Sequence, residues 1–188
     1  AAEQLYGMAA QLAGLTGGER LLDLYCGMGT IGLSIVAQCA ELIGVEIVPE
    51  AIAAAKAAAA HMGPEVAARC RFLCADAGQA AQTLADEGLK PDVIVLDPPR
   101  KGCDAPALDA VLRMAPDRIV MVSCNPATAA RDARYLADHG YALRRICPAD
   151  LFPRTRHVEV VVLLEQAPIC GTDAQTGISQ TRCEEKKP

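Results

Sequence analysis

Five short apolar runs, at residues 21–25, 42–47, 71–75, 93–96 and 119–122, alternate with longer stretches of helical pattern, and that alternation leaves the chain few folds to adopt. A strand followed by a helix returns to the same starting edge, so successive strands run parallel and helices cover both faces of the sheet. One crossover shows its punctuation clearly: Pro49 and Gly63 bracket an alanine-rich helix around residues 51–61. The finish breaks the rhythm. A sixth run at 141–147 and a seventh at 157–164 are joined by a loop too short for a crossover helix, so these two pair antiparallel as a hairpin. The expected fold is α/β, a mostly parallel seven-stranded sheet with an antiparallel C-terminal hairpin strand, in one domain over residues 1–166. From residue 167 onward the apolar periodicity stops, and a disordered tail is expected.

A chain of 188 residues with 52% hydrophobic content can bury a sizeable single core. No apolar run reaches the roughly 18 residues of a membrane span, and the N-terminus lacks secretory-signal features. Nine cysteines form no CxxC pair, which argues against a disulfide framework and against a zinc site, so no metal is expected. Reduced thiols and a cytoplasmic location follow. Cys70 and Cys74, close together on one strand, read as core. The net charge of −5 opposes gripping nucleic acid by charge alone. Local basic groups remain: Arg100 with Lys101, and Arg144, Arg145, Arg154 and Arg156, of which Arg144 and Arg145 read as surface charges.

Four strand ends carry residues with chemistry. After the first comes Tyr25-Cys26-Gly27-Met28-Gly29-Thr30-Ile31-Gly32, a G-x-G-x-x-G pattern, and Glu46 ends the second strand. Such glycines let backbone approach a ligand, and an acid at the next strand end takes ribose hydroxyls. The pattern alone fits a nicotinamide dehydrogenase and an S-adenosylmethionine site equally. Asp76 follows the third strand, where a carboxylate can accept from an adenine amino group or simply cap a helix. The fourth strand ends in Asp97-Pro98-Pro99-Arg100-Lys101-Gly102, whose prolines stiffen the loop at the edge where such sheets bind ligands. After the fifth stands Ser123-Cys124-Asn125-Pro126, with Asn125 as an N-cap and Pro126 at the first helical position. A helix start stabilises a thiolate, the reactive form of cysteine, although a strand-end cysteine is also an ordinary core residue.

Together these motifs, with Gly44-Val45-Glu46 and with Asp150-Leu151-Phe152-Pro153 running to His157-Val158-Glu159, resemble the S-adenosylmethionine-dependent RNA uracil-C5 methyltransferases, a family that includes the bacterial 23S ribosomal RNA enzymes. The resemblance spans about residues 5 to 165, and the motifs occur in family order. It implies a Rossmann-like class I methyltransferase fold, S-adenosyl-L-methionine as cofactor, and RNA as partner, ribosomal RNA in preference to transfer RNA. It further implies that Tyr25, Gly27, Glu46, Asp76 and Asp97 contact the cofactor, with Thr30 at a position where relatives bear another contact. Cys124 becomes the nucleophile and Glu159 the base.

The chemistry agrees. Uracil C5 is a poor nucleophile until a thiolate adds to C6, and a base must then take the C5 proton before the thiol leaves. If the seventh strand lies antiparallel beside the fifth, as in related methyltransferases, Glu159 arrives near Cys124, with Val158, Val160 and Val162 on the opposite face. His157 reads as an orienting or surface residue. Phe152 either stacks on a base or anchors its loop, and Arg154 and Arg156 are placed to meet phosphates. Relatives carry an RNA-binding β-barrel before this region, so the chain is expected to be a fragment or to need a separate RNA-binding domain or subunit. The rivals are a module that binds cofactor or RNA without turnover, and the dehydrogenase.

Overall fold

A computed structural model describes residues 2–149 and 158–168. Helix α1 (Ala2–Ala13) leads into β1 (Arg20–Leu24), α2 (Thr30–Ile35), a 3-10 turn at Val36–Gln38, β2 (Glu41–Glu46) and α3 (Pro49–Met62). There follow α4 (Pro64–Arg69), β3 (Cys70–Cys74), α5 (Ala77–Asp86), β4 (Val93–Leu96), α6 (Ala105–Met114), β5 (Arg118–Ser123), α7 (Pro126–Asp138), β6 (Tyr141–Ala149) and β7 (Glu159–Gln166). The strands form one seven-stranded sheet in the order β3-β2-β1-β4-β5-β7-β6. β1 to β5 pair in parallel, while β7 pairs antiparallel with both β5 and β6. The α/β expectation and its reversed hairpin strand are met. Among the described residues, no helix is long and apolar enough to cross a membrane.

Period-two alternation splits the core into two layers. Leu21, Val93, Val95, Val120, Val122, Val161 and Leu163 face α1, α2 and α3, while Leu22, Leu24, Ile94, Ile119, Met121, Val160 and Val162 face α5, α6 and α7. Buried on both faces, the central strands read as continuous apolar runs. Three helices on one side start alike: Asp76, Asp104 and Asn125 cap α5, α6 and α7 by accepting from Gln79 N at 3.0 Å, Ala107 N at 2.9 Å and Ala127 N at 3.1 Å. Each such cap contributes about 1 kcal/mol and fixes where its preceding loop ends.

One acid interrupts the β1 run. Asp23 is 1% exposed, and its Oδ2 accepts from Gly32 N at 3.0 Å, tying the strand to α2 across the glycine loop; Oδ1 has no hydrogen-bond partner among the described residues. A Cβ on Gly32 would stand 2.9 Å from that Oδ2 and 2.8 Å from Leu42 Cδ1, so the anchor requires glycine. Burial pushes the Asp23 carboxyl up from 3.8 to about 7, and the nearby Asp97 and Glu46 charges act in the same direction against the Gly32 hydrogen bond. The folded chain therefore favours the protonated form of Asp23 below that value.

Two outcomes follow from these contacts. An acid that holds its proton more tightly when folded favours folding most below its ordinary value, and that gain is lost as pH rises through the folded value. Urea denaturation should therefore show stability declining from pH 5 to pH 7 and levelling above. Asp23→Asn should flatten most of this slope, and an unchanged slope would place the proton elsewhere. At Gly44, a Cβ would meet the Phe72 ring at 2.7 Å and Cys26 Sγ at 3.0 Å. Gly44→Ala should lower unfolding free energy by about 1–3 kcal/mol through overpacking, measured in the same experiment.

Candidate active site

Parallel strands deliver their ends to one edge, and there the loops turn sharply. After β1, Tyr25 takes a left-handed conformation at φ 67°, unusual outside glycine, and Gly27 and Gly29 follow at 54° and 80°. Gly27 N donates to Glu46 Oε2 at 3.1 Å, while Glu46 Oε1 accepts from Ile47 N at 2.9 Å and Val48 N at 3.0 Å. The carboxylate thus ties the glycine loop to the end of β2. Asp76 caps α5 and lines the same hollow, so cap and wall coincide in one residue.

The hollow has a volume of about 420 Å³, and Tyr25, Glu46, Asp76 and Asp97 all line it. Gly27 holds the loop at its rim through Glu46. Thr30 stands apart: it opens α2 and lines a separate depression with Met28, Leu33 and Met62. Ile47 and Asp104 also line the hollow, and neither was anticipated. Ile47 is 60% exposed at a strand end, a large apolar side chain left for a flat ligand to cover; that exposure is visible only in three dimensions. Burial pushes the Tyr25 phenol well up, and the neighbouring Cys103 and Asp104 act in the same direction. It stays a neutral hydrogen-bonding wall.

Beyond Asp97 lies the second half of the site. β5 and β7 pair up to Ser123 opposite Val160, so the next residues in each strand are Cys124 and Glu159. Both are half-buried at the same edge. Burial pushes the Asp97 carboxyl up to about 6, and the charge of Glu159 adds to this, which ties the base expected from β7 electrostatically to the acid of the hollow. Asn125 caps α7 and Pro126 opens it, so that helix starts directly behind Cys124. Ser123, 2% exposed, holds the turn: its Oγ accepts from Asn125 N and donates to Asn125 O, both at 3.1 Å.

The other cysteines divide by environment. Cys26, Cys39 and Cys103 are buried, and burial pushes their thiols up to about 12, 11 and 12. A thiol so held is a poor nucleophile. Cys70 is half-buried, while Cys74 is exposed rather than core, donating to Ile47 O at 3.7 Å. Phe152, Arg154, Arg156, His157 and the Asp150-Leu151-Phe152-Pro153 motif lie outside the described residues, as does the tail from residue 169.

Comparison with known proteins accords with this arrangement. The model of the tRNA (uracil-5-)-methyltransferase family matches residues 2–167. An uncharacterised RNA methyltransferase of Halalkalibacterium halodurans is 49% identical over 161 residues, covering 86% of this chain and 34% of the relative. One from Staphylococcus epidermidis is 45% identical with the same coverage. The chain thus spans about a third of the length of these relatives. Among solved structures, the Pyrococcus abyssi tRNA (uracil-54, C5)-methyltransferase in complex with S-adenosyl-L-homocysteine is 30% identical at a TM-score of 0.68, covering 86% of this chain and 38% of that one. Strand order, site edge and a match over nearly the whole chain lead to one conclusion: the chain belongs to the tRNA (uracil-5-)-methyltransferase family.

Proposed function

We propose that this chain is the catalytic domain of an RNA methyltransferase that moves a methyl group from S-adenosyl-L-methionine to C5 of a uridine. The observation that carries this reading is the β5–β7 register, which sets Cys124 and Glu159 side by side next to an acid-lined hollow. The cofactor fits that hollow on chemical grounds. It is a cation at sulfur, and the wall offers Glu46, Asp76 and Asp97. Glu46 and Gly27 serve the ribose, Asp76 the adenine amino group, Tyr25 a wall of the pocket and Asp97 the side facing Cys124; Thr30, on the far side of the loop, has at most an indirect part. When bound, S-adenosyl-L-methionine supplies an electrophilic methyl group.

The remaining chemistry belongs to the protein. Cys124 Sγ, as thiolate, forms a bond to uracil C6, and the displaced electron pair moves through C5 to the O4 oxygen, making C5 nucleophilic. Once C5 carries its methyl group, Glu159 takes the C5 proton, the C5–C6 double bond re-forms, and the S–C6 bond breaks to return the thiolate. A base on the opposite edge could not reach that proton, which is why the reversed strand matters. A uridine held in a duplex must first leave the stack.

Ribosomal RNA is the preferred target and transfer RNA the close alternative, the latter supported by the matching family and by the archaeal relative's substrate. Methyl incorporation from labelled cofactor into each RNA decides between them. The enzyme works in the cytoplasm, where its thiols stay reduced, and RNA is held with the help of a further domain or subunit. Turnover by these 188 residues alone should accordingly be weak, and robust turnover on full-length RNA would remove the need for that helper.

Incubation with 5-fluorouracil-containing RNA and S-adenosyl-L-methionine should give a covalent protein–RNA adduct, read as a band shift on a denaturing gel. Cys124→Ala should abolish it, and persistence of the adduct would sink the role of Cys124. With ordinary uridine RNA, Glu159→Gln should lower the rate of product release by about 10²-fold or more and leave a methylated covalent complex detectable by mass spectrometry. Unimpaired turnover in that variant would assign the base elsewhere.

A further inference from the structure

We propose that the adjacent pair Arg131 and Asp132 on α7 is a positioning clamp, which locks the loop carrying Asp97 onto the helix that starts behind Cys124. The inference rests on the roles proposed above for Asp97 and Cys124. The loop from Asp97 to Asp104 has no helix or strand, and four of its backbone polar groups are taken up by one face of α7 and its cap. Asn125 Nδ2 donates to Arg100 O at 3.1 Å, and Thr128 Oγ1 donates to the same carbonyl at 3.4 Å. One turn on, Arg131 Nη2 donates to Lys101 O at 3.1 Å and Cys103 O at 3.0 Å, while Asp132 Oδ2 accepts from Cys103 N at 2.8 Å. Positions 125, 128, 131 and 132 share a helix face, so a single helix reads the loop along its length.

The pair itself is built for holding. The Asp132 side chain is 1% exposed, and Arg131 closes on its Oδ1 with Nε at 2.8 Å and Nη2 at 2.7 Å. A buried carboxylate is tolerated only when its oxygens are matched, and here one takes the guanidinium and the other a loop N–H. Gly102 shows how closely the loop lies: at φ 81°, a Cβ there would stand 2.5 Å from Arg131 Nη2 and 2.6 Å from Asp132 Oδ2. The planar fork of arginine reaches a carboxylate and two carbonyls at once, which a lysine ammonium cannot reproduce. The cap of the same α7 is Asn125, next to Cys124, so the clamp fixes the distance between the wall of the cofactor hollow and the nucleophile. This makes Arg131 and Asp132 positioning residues, not catalytic ones.

The test uses the full chain and reads two ends of the clamp separately: affinity for S-adenosylhomocysteine by calorimetry, and the rate of Cys124 alkylation by iodoacetamide, mapped by peptide mass spectrometry. Arg131→Gln should weaken binding by about ten-fold and change the alkylation rate by about three-fold or more, as expected for loss of charge-assisted hydrogen bonds. Arg131→Lys should fail to restore either. Arg134→Gln, which removes an exposed pair with Asp138 one turn away, should alter neither. A lowered melting temperature in Arg131→Gln with both readouts within about two-fold of the parent would reduce the pair to a structural contact and overturn the proposal. If the parent chain does not bind S-adenosylhomocysteine, the functional reading fails, and the alkylation rate alone judges the clamp by the same criterion. If Arg131→Gln does not fold, Thr128→Ala loosens the same loop and is scored identically.

Discussion

The chemistry proposed for this molecule depends on β7 running against β5. Parallel strands can bring only the residues that follow them to the carboxyl edge, and Tyr25, Glu46, Asp76, Asp97 and Cys124 all arrive that way. A residue at the start of a parallel strand would lie at the other edge, about 17–20 Å away for a strand of ordinary length. Reversal brings the first residue of β7, Glu159, to the side of Cys124. The apolar centre of β7 specifies register weakly, because a one-residue slip exchanges one valine for another. Its polar ends are better markers: Glu165 lies opposite Arg118 and is paired with Arg144 at 3.0 Å, so that arginine has a structural use at the far end of the strand.

Concentrating acids on one edge raises an electrostatic difficulty that the protein meets in two ways. Glu46 spends its oxygens on three backbone N–H groups, which hold the negative charge in place. Asp23 and Asp97 instead hold their protons to higher pH than an ordinary carboxyl, through burial first, with the charges of Asp97 and Glu46 adding to it at Asp23 and that of Glu159 at Asp97. Below about pH 6 the edge therefore carries less negative charge than the number of its acids would suggest. Cationic ligands still find a favourable field there, and the core avoids the full penalty of buried like charges.

Much of this was legible before any coordinates. Apolar runs bounded by helix-start chemistry located all seven strands, and Asn125 with Pro126 placed a helix behind Cys124. The short α4 after Gly63 escaped notice because six residues carry too little periodicity to separate a helix from a loop. Asp23 sits inside an apolar run, where local pattern reads only a strand; its hydrogen bond to Gly32 is a contact between elements. Arg131 and Asp132 look like ordinary helix-surface charges until the loop from β4 is laid over them. Cys74, read as core, turned outward because β3 is an edge strand with less to cover it. At Asp23, Arg131 and Asp132 the partner is distant in sequence, which periodicity cannot report.

The glycines of the opposite edge carry a practical meaning. Gly17, Gly88 and Gly140, in the loops that enter β1, β4 and β6, all take left-handed conformations with open space around them. None lines the hollow or neighbours Cys124 or Glu159 in the chain. That edge is where the polypeptide can be lengthened, tagged or opened and rejoined at new termini, since the sheet itself stands as a spacer between such surgery and the reacting atoms. A fluorescent reporter or a tethered RNA-binding module grafted there would ride on the domain without entering its chemistry.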